Sequence, residues 1–369
     1  MYIWEHPNWP ELTFDEGPLA ALLAAVRHEQ GKLLGKMEAV GFDLREEAML
    51  QTLTQDVVKT SEIEGENLDT QQVRSSIACR LGIDIGALAP VDRNVEGIVD
   101  VMLDATGKYQ EPVTAERLFA WHGALFPTGR SGLSKIRVGQ WRDDNSGPMQ
   151  VISGAFGRER VHYRAPPADR VAHEMSRFLD WLNAPPNLDP VLKAAVLHFW
   201  FVTIHPFEDG NGRIARAIAD LALARSESTP HRYYSMSAQI QKERKAYYDL
   251  LEKTQRGDLN ITSWIKWFLV SLRCAIEESQ TTVAKVLAKA RFWERAAQMA
   301  LSDRQIKMLN RLLDGFEGKL TSSKWAKIAD CSQDTAGRDI ATLIDLGLLR
   351  RAAAGGRSTH YEIQLGQAK

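Results

Sequence analysis

Apolar residues recur three and four positions apart along most of this chain. Residues 17–43, "GPLAALLAAVRHEQGKLLGKMEAVGFD", carry Leu, Ala and Val at helical spacing, with Gly41 as a stop. A second helix is predicted over 44–66, and others over 92–109, 114–127, 168–184, the segments before His205 and after Gly212, and 261–298. The run "LKAAVLHFWFVTI", 192–204, is predominantly apolar; it is too long for a typical strand and suits a buried helix. Strands are few, so the pattern predicts an all-α protein.

Two intervals depart from that pattern. In 137–170, "MQVIS" and "RVHYR" have β-forming residues around Gly154 and Gly157, which predicts a short hairpin. From Ser302 three short helices precede two β-like runs around "AAAGGRS", the order of a winged helix. The expected organisation is therefore a helical amino-terminal domain (1–110), a helical core (111–275), a linking helix (276–301) and a small winged-helix domain (302–369).

Composition narrows the class. Hydrophobic residues at 44% and charged residues at 25% give no hint of disorder. A net charge of −1 argues against whole-chain attraction to nucleic acid or anionic membrane. Residues 303–369 carry 11 Lys and Arg against 8 Asp and Glu, a local excess that permits nucleic acid without demanding it. Cys79, Cys274 and Cys331 are far apart and form no metal-ligand spacing, as expected of reduced thiols. The amino terminus lacks a basic region followed by an apolar run, and no stretch approaches a membrane span, so the expectation is a cytoplasmic protein without membrane contact.

The chemistry concentrates in "HPFEDGNGRIAR", His205–Arg216. A calcium loop counted from Asp209 fails, because Arg213 would be its fifth position and Ile214 its turn glycine. A dinucleotide reading of Gly210, Gly212 and Ala215 fails for want of βαβ alternation. A phosphate site fits better. Pro206 should end the preceding helix and leave His205 at the mouth of a loop. Gly210, Asn211 and Gly212 can turn successive N–H groups toward one point at the start of a new helix. Arg213 and Arg216 share one face of its first turn. Asp209 offers a hard oxygen for Mg²⁺, and His205 can take a proton from a hydroxyl.

This stretch resembles the signature of the Fic family, H-P-F-x-D/E-G-N-G-R-x-x-R, at every defined position. The resemblance implies a Fic helical core with a short β-hairpin flap, which transfers AMP from ATP to a protein hydroxyl on Ser, Thr or Tyr and releases pyrophosphate. It makes His205 the general base, Asp209 the Mg²⁺ ligand, Gly210, Asn211 and Gly212 the anion hole, Arg213 a phosphate stabiliser and Arg216 the holder of the γ-phosphate. The hairpin takes the place of the flap that pins the target, with Val151 and Ile152 at the nucleotide. Tyr247 and Tyr248 resemble residues flanking the base; a core aromatic pair at helical spacing fits them equally.

Upstream, "TSEIEG" resembles the family's inhibitory pattern S/T-x-x-x-E-G/N, with Thr60 and Glu64 on one helix face and Gly65 ending the helix. The implied role is self-inhibition, Glu64 pairing with Arg216 in place of the γ-phosphate; the same carboxylate also suits a water that removes AMP. The opening "YIWEHPNWPELTFD" resembles a domain found ahead of some bacterial Fic cores. The partners implied are ATP and a protein target, the chain itself included. The alternative is a regulator whose winged helix contacts DNA, or a protein, through Arg338, Arg350, Arg351 and Arg357 while the core senses or transfers another nucleotide.

Overall fold

A computed structural model describes residues 1–85, 88–145, 147–154, 158–185, 187–313, 316, 318–352 and 360–365. Gly157, Arg357 and most of "AAAGGRS" lie outside the described residues. The chain divides into two units, Met1–Thr281 and Thr282–Lys369.

The first unit is built from α1 (Gly17–Glu38), α2 (Phe42–Ile63), α3 (Thr70–Leu81), α4 (Arg93–Gly107) and α5 (Ala115–Leu125), then the two-residue strands β1 (Arg130–Ser131) and β2 (Ser134–Lys135). The hairpin β3 (Gln150–Ser153) and β4 (Arg160–Arg164) follows, then α6 (Ala168–Asn183), α7 (Pro190–Ile204), α8 (Asn211–Glu227), α9 (Met236–Lys242) and α10 (Arg244–Gln255). The 35-residue α11 (Thr262–Ala296) contains the division between the units. No described helix is long and apolar enough to cross a membrane.

The largely apolar run before His205 is α7, buried from Val191 to Ile204, with Lys193, His198 and Thr203 buried among its apolar side chains. It packs against α8, and Trp264 of α11 donates its indole N–H to the Ala195 carbonyl at 2.8 Å. α1 ends at Glu38, before Gly41, which caps α2 instead. α2 lies against α9, where buried Asp56 accepts hydrogen bonds from the Ser237 N–H at 3.2 Å and from the Ser235 hydroxyl. That bond ties α2 two turns before Glu64.

The expected hairpin is present: β3 and β4 pair antiparallel from Gln150↔Arg164 to Ser153↔Arg160, with a register shift between Val151 and Ile152. In the second unit α12 (Asp303–Leu313), α13 (Ser322–Ile328) and α14 (Gln333–Asp345) precede an antiparallel pair, β5 (Leu349–Arg351) and β6 (Tyr361–Ile363). Trp325, Met308, Leu343 and Leu348 form its buried centre.

Candidate active site at the start of α8

α7 stops at Ile204, and His205 takes a left-handed conformation with φ +53° before Pro206. A non-glycine residue holds that conformation only when its surroundings impose it. Here buried Arg142 does so. Its Nε donates to the His205 carbonyl at 2.7 Å, its backbone N–H to the Pro206 carbonyl at 2.9 Å, and Nη2 to the Pro166 carbonyl at 2.5 Å. His205 Nδ1 lies 3.3 Å from the Val202 carbonyl. A carbonyl can only accept, so that bond places the proton on Nδ1 and leaves the Nε2 lone pair free to take another. Burial, with a smaller push from Arg142, lowers the imidazole pKa to about 4 against the opposing pull of Val202, Asp209 and Glu64. The ring is therefore neutral near pH 7, the state a base requires.

Asn211 shapes the turn rather than facing it. Its side chain accepts from the Phe207 N–H at 3.0 Å and donates to the Phe207 carbonyl at 2.8 Å. Gly210, at φ +79°, precedes α8 and brings no side-chain acceptor to the helix start; a Cβ there would meet the Phe126 ring at 2.9 Å. The N–H groups of the first helical turn have no carbonyl four residues back in the helix, which makes this end a seat for an anion.

A carboxylate stands beside it. Glu64, the residue capping α2, has Oε1 2.2 Å from where a Cβ on Gly212 would stand, so only glycine admits it in that position. The same oxygen lies 2.6 Å from Arg216 Nη2. Arg216 Nε donates to the Thr60 hydroxyl at 2.6 Å and Nη2 to the Thr60 carbonyl at 3.0 Å, while Nη1 is buried without a partner. Burial works against the guanidinium charge, but Glu64 and the nearby tyrosines outweigh it and raise its pKa. Gly65 follows at φ +87° and turns the chain out of the helix. Arg213 is paired too: Nη1 lies 2.9 Å from Glu66, and the guanidinium covers the Phe126 ring at 4.9 Å. Glu66 is a participant that the sequence reading did not include.

Asp209 accepts from the Gly210 N–H at 2.6 Å and from the Ser131 hydroxyl. A carboxylate offers about four lone-pair positions, so capacity remains for a cation. No group of three or more His, Cys, Asp or Glu able to hold a metal ion occurs among the described residues. One carboxylate suits Mg²⁺ only when phosphate and water complete its shell, so Asp209 could hold that ion only together with a bound phosphate. Behind it His122 takes the Gly139 N–H on Nδ1 and donates from Nε2 to the Asp209 carbonyl, both at 3.2 Å, and stacks on Phe207 at 4.2 Å. Burial lowers the His122 pKa to about 4.

Glu64, His205, Asp209, Asn211 and Gly212 line one cavity of about 580 Å³ together with Val151, Ile152 and Tyr248, whereas Gly210, Arg213 and Arg216 are not among its lining residues. Of the tyrosine pair, Tyr247 is buried with its hydroxyl 2.9 Å from His198 Nε2, whereas Tyr248 is partly exposed beside Arg244. The hairpin is fastened to α10: Glu252 accepts from Arg160 at 2.9 and 3.1 Å and from His162 Nδ1 at 2.6 Å. Arg256 donates to the carbonyls of His162 at 3.0 Å and Val161 at 2.7 Å. Arg142, Ser131 and Glu252 escaped the sequence reading because each is far along the chain from its partner.

Residues 112–223 match the Fic/DOC family, and residues 2–83 match a domain of unknown function, DUF4172. Over 116 residues the chain is 39% identical to the Protein adenylyltransferase Fic of Culex quinquefasciatus, covering 30% of this chain and 22% of that protein. Over 203 residues it is 28% identical to the protein of the same name from Drosophila willistoni, covering 53% of this chain and 36% of that one. The chain thus spans well under half the length of either relative. The crystal structure of a Fic family protein from Desulfovibrio desulfuricans G20 superposes with a TM-score of 0.57 at 22% identity, covering 98% of this chain and 99% of that one. At that identity the likeness speaks for the fold alone, and the fold is the mostly helical one expected.

Proposed function

We propose that the Fic/DOC domain at residues 112–223 works as a protein adenylyltransferase that its own chain holds in check. The observation that carries this reading is the meeting, in one cavity, of a neutral His205, the start of α8 at Gly212 and the Glu64 carboxylate that stands beside it, paired with Arg216. A target hydroxyl on Ser, Thr or Tyr gives its proton to His205 Nε2 while its oxygen bonds to the α-phosphorus of ATP. The bond from that phosphorus to the bridging oxygen breaks, and pyrophosphate leaves. Asp209 is the residue that would hold Mg²⁺, which would supply charge neutralisation to the phosphates. The N–H groups around Gly212 hold phosphate oxygens, with Arg213 and Arg216 behind them. The hairpin's free edge can pair with the backbone of a target segment, and Val151, Ile152 and Tyr248 border the space for the nucleotide.

The Glu64–Arg216 pair is what supports the inhibition. Glu64 takes the Arg216 charge that a γ-phosphate needs, so ATP that does bind has its α-phosphorus misplaced for attack. The test is labelled ATP with Mg²⁺ and the full chain. Label is expected on the protein, more strongly in Glu64→Gly, and in His205→Ala none outside the β3–β4 hairpin; label persisting elsewhere in the latter would remove His205 as the base.

The helix order and the β5–β6 pair of the second unit favour a second role, contact of a winged helix with DNA or a protein. Arg338 is exposed on α14, whereas Arg350 is paired with Glu362 at 3.0 Å. Binding of the full chain to duplex DNA that weakens steeply with added salt supports DNA; none at low salt refutes it.

A further inference from the structure

One wall of the cavity carries three linked side chains that the transfer reading leaves unused. Ser153 ends β3, and its Oγ lies 2.5 Å from His162 Nε2 across the hairpin. His162 Nδ1 in turn lies 2.6 Å from Glu252 on α10. An ionised carboxylate only accepts, so Glu252 fixes the imidazole proton on Nδ1 and turns the Nε2 lone pair to the Ser153 hydroxyl. Burial opposes the charge on Glu252, but the bonds from His162 and Arg160 outweigh it and hold its pKa below the usual value. A hydroxyl, an imidazole and an orienting carboxylate in this order make a serine nucleophilic. Ser153 is exposed, and all three residues line the same cavity as His205, Asp209 and Gly212. An activated hydroxyl on the wall of a cavity that takes a phosphoryl donor is itself a candidate acceptor.

We propose that Ser153 is a site at which this chain modifies itself with a nucleotide, an inference that rests on the transfer reading above. Ser153 Oγ bonds to the α-phosphorus of a nucleoside triphosphate and its proton passes to His162 Nε2. The bond from that phosphorus to the bridging oxygen breaks, and pyrophosphate is released. His162 is the base for this internal acceptor, as His205 is for a target. The step is intramolecular, because Ser153 lines its own chain's cavity.

The experiment incubates the full-length Glu64→Gly chain with ATP and Mg²⁺ at several protein concentrations and maps the adduct by peptide mass spectrometry. The expected result is AMP on Ser153, formed at a rate independent of protein concentration and slowed at least tenfold by His162→Gln, about 1.4 kcal/mol of barrier. Ser153→Ala removes that adduct. Label on other residues or on an added target, with Ser153 unmodified, overturns the proposal and leaves the transfer reading standing. Label on no protein hydroxyl overturns both. A rate proportional to protein concentration, or one indifferent to His162→Gln, overturns the intramolecular relay.

Discussion

Glu66 lies 2.9 Å from Arg213, two residues beyond the Glu64 carboxylate that holds Arg216. The end of α2 and the segment after it therefore present two carboxylates to Arg213 and Arg216. The Glu66 side chain is 48% exposed and that of Glu64 29%, so solvent weakens the outer pair more. Glu66→Gln is expected to tighten ADP binding by about two- to fivefold, corresponding to ~0.4–1 kcal/mol. Calorimetric titration of the two proteins checks this, and equal affinities would show that the outer pair carries no weight.

Glu64→Gly is expected to speed transfer at least tenfold, about 1.4 kcal/mol of barrier, with ATP affinity little changed. It also leaves Arg216 buried without its charge partner, which should cost about 1–3 kcal/mol of stability in the absence of nucleotide. A lower Tm, restored by a non-hydrolysable ATP analogue, is the joint signature. If Glu64 also positions a water for AMP removal, the variant loses that activity while gaining the forward one. A variant with unchanged forward rate would reduce Glu64 to a helix-end residue.

Gly212→Ala tests the seat itself. The added methyl would stand 2.2 Å from Glu64 Oε1 and 3.2 Å from Arg216 Nη1. Glu64 can swing away, but on the transfer reading the methyl then crowds the helix start that is proposed to hold a phosphate oxygen. Transfer is expected to fall at least tenfold even beside Glu64→Gly, measured as label per unit time. Gain of activity in Gly212→Ala alone would mean that displacing Glu64 outweighs crowding the nest.

Three histidines give the pH dependence its sign. Burial lowers the pKa of His122 and His205 to about 4 and of His198 to about 3. Their unfolded value is about 6.5, so between about 6.5 and the folded values the unfolded chain binds more protons. Stability is complete above about pH 6.5 and declines as pH falls through that window, by up to ~1.4 kcal/mol per unit for each histidine. Thermal melts from pH 7.5 to 4.5 should show Tm falling. Replacing buried His198 with Gln should flatten the slope, and an unchanged slope would exclude it as a contributor. The initial rate of the Glu64→Gly chain should be flat from pH 8 to 6, because His205 stays neutral throughout.

What the sequence disclosed follows how local each feature is. His205 through Arg216 are consecutive, so the loop, the helix start and the arginine face could be read directly, and the i, i+4 spacing of Thr60 and Glu64 placed both on the helix side that meets Arg216. The periodic apolar helices were equally legible. α3 was not, because "TQQVRSSIACRL" has little contrast between its faces; its Asp69 cap and left-handed Gly82 were the available signals. Arg142 and Glu252 act on segments 63 and 90 positions away, and no periodicity encodes such pairings.

The anchoring of Asp56 against Ser235 and Ser237 bears on how quickly the site can open. A helix tethered by a buried carboxylate two turns from its end does not detach as a unit without exposing that bond to solvent. Only the last turn and the Glu64 side chain are left to yield. Rotation about side-chain bonds takes picoseconds to nanoseconds, whereas undocking of packed helices takes microseconds to milliseconds. Nucleotide arrival should therefore proceed without a slow isomerisation phase, and amide exchange along the middle of α2 should stay as protected in Glu64→Gly as in the parent chain.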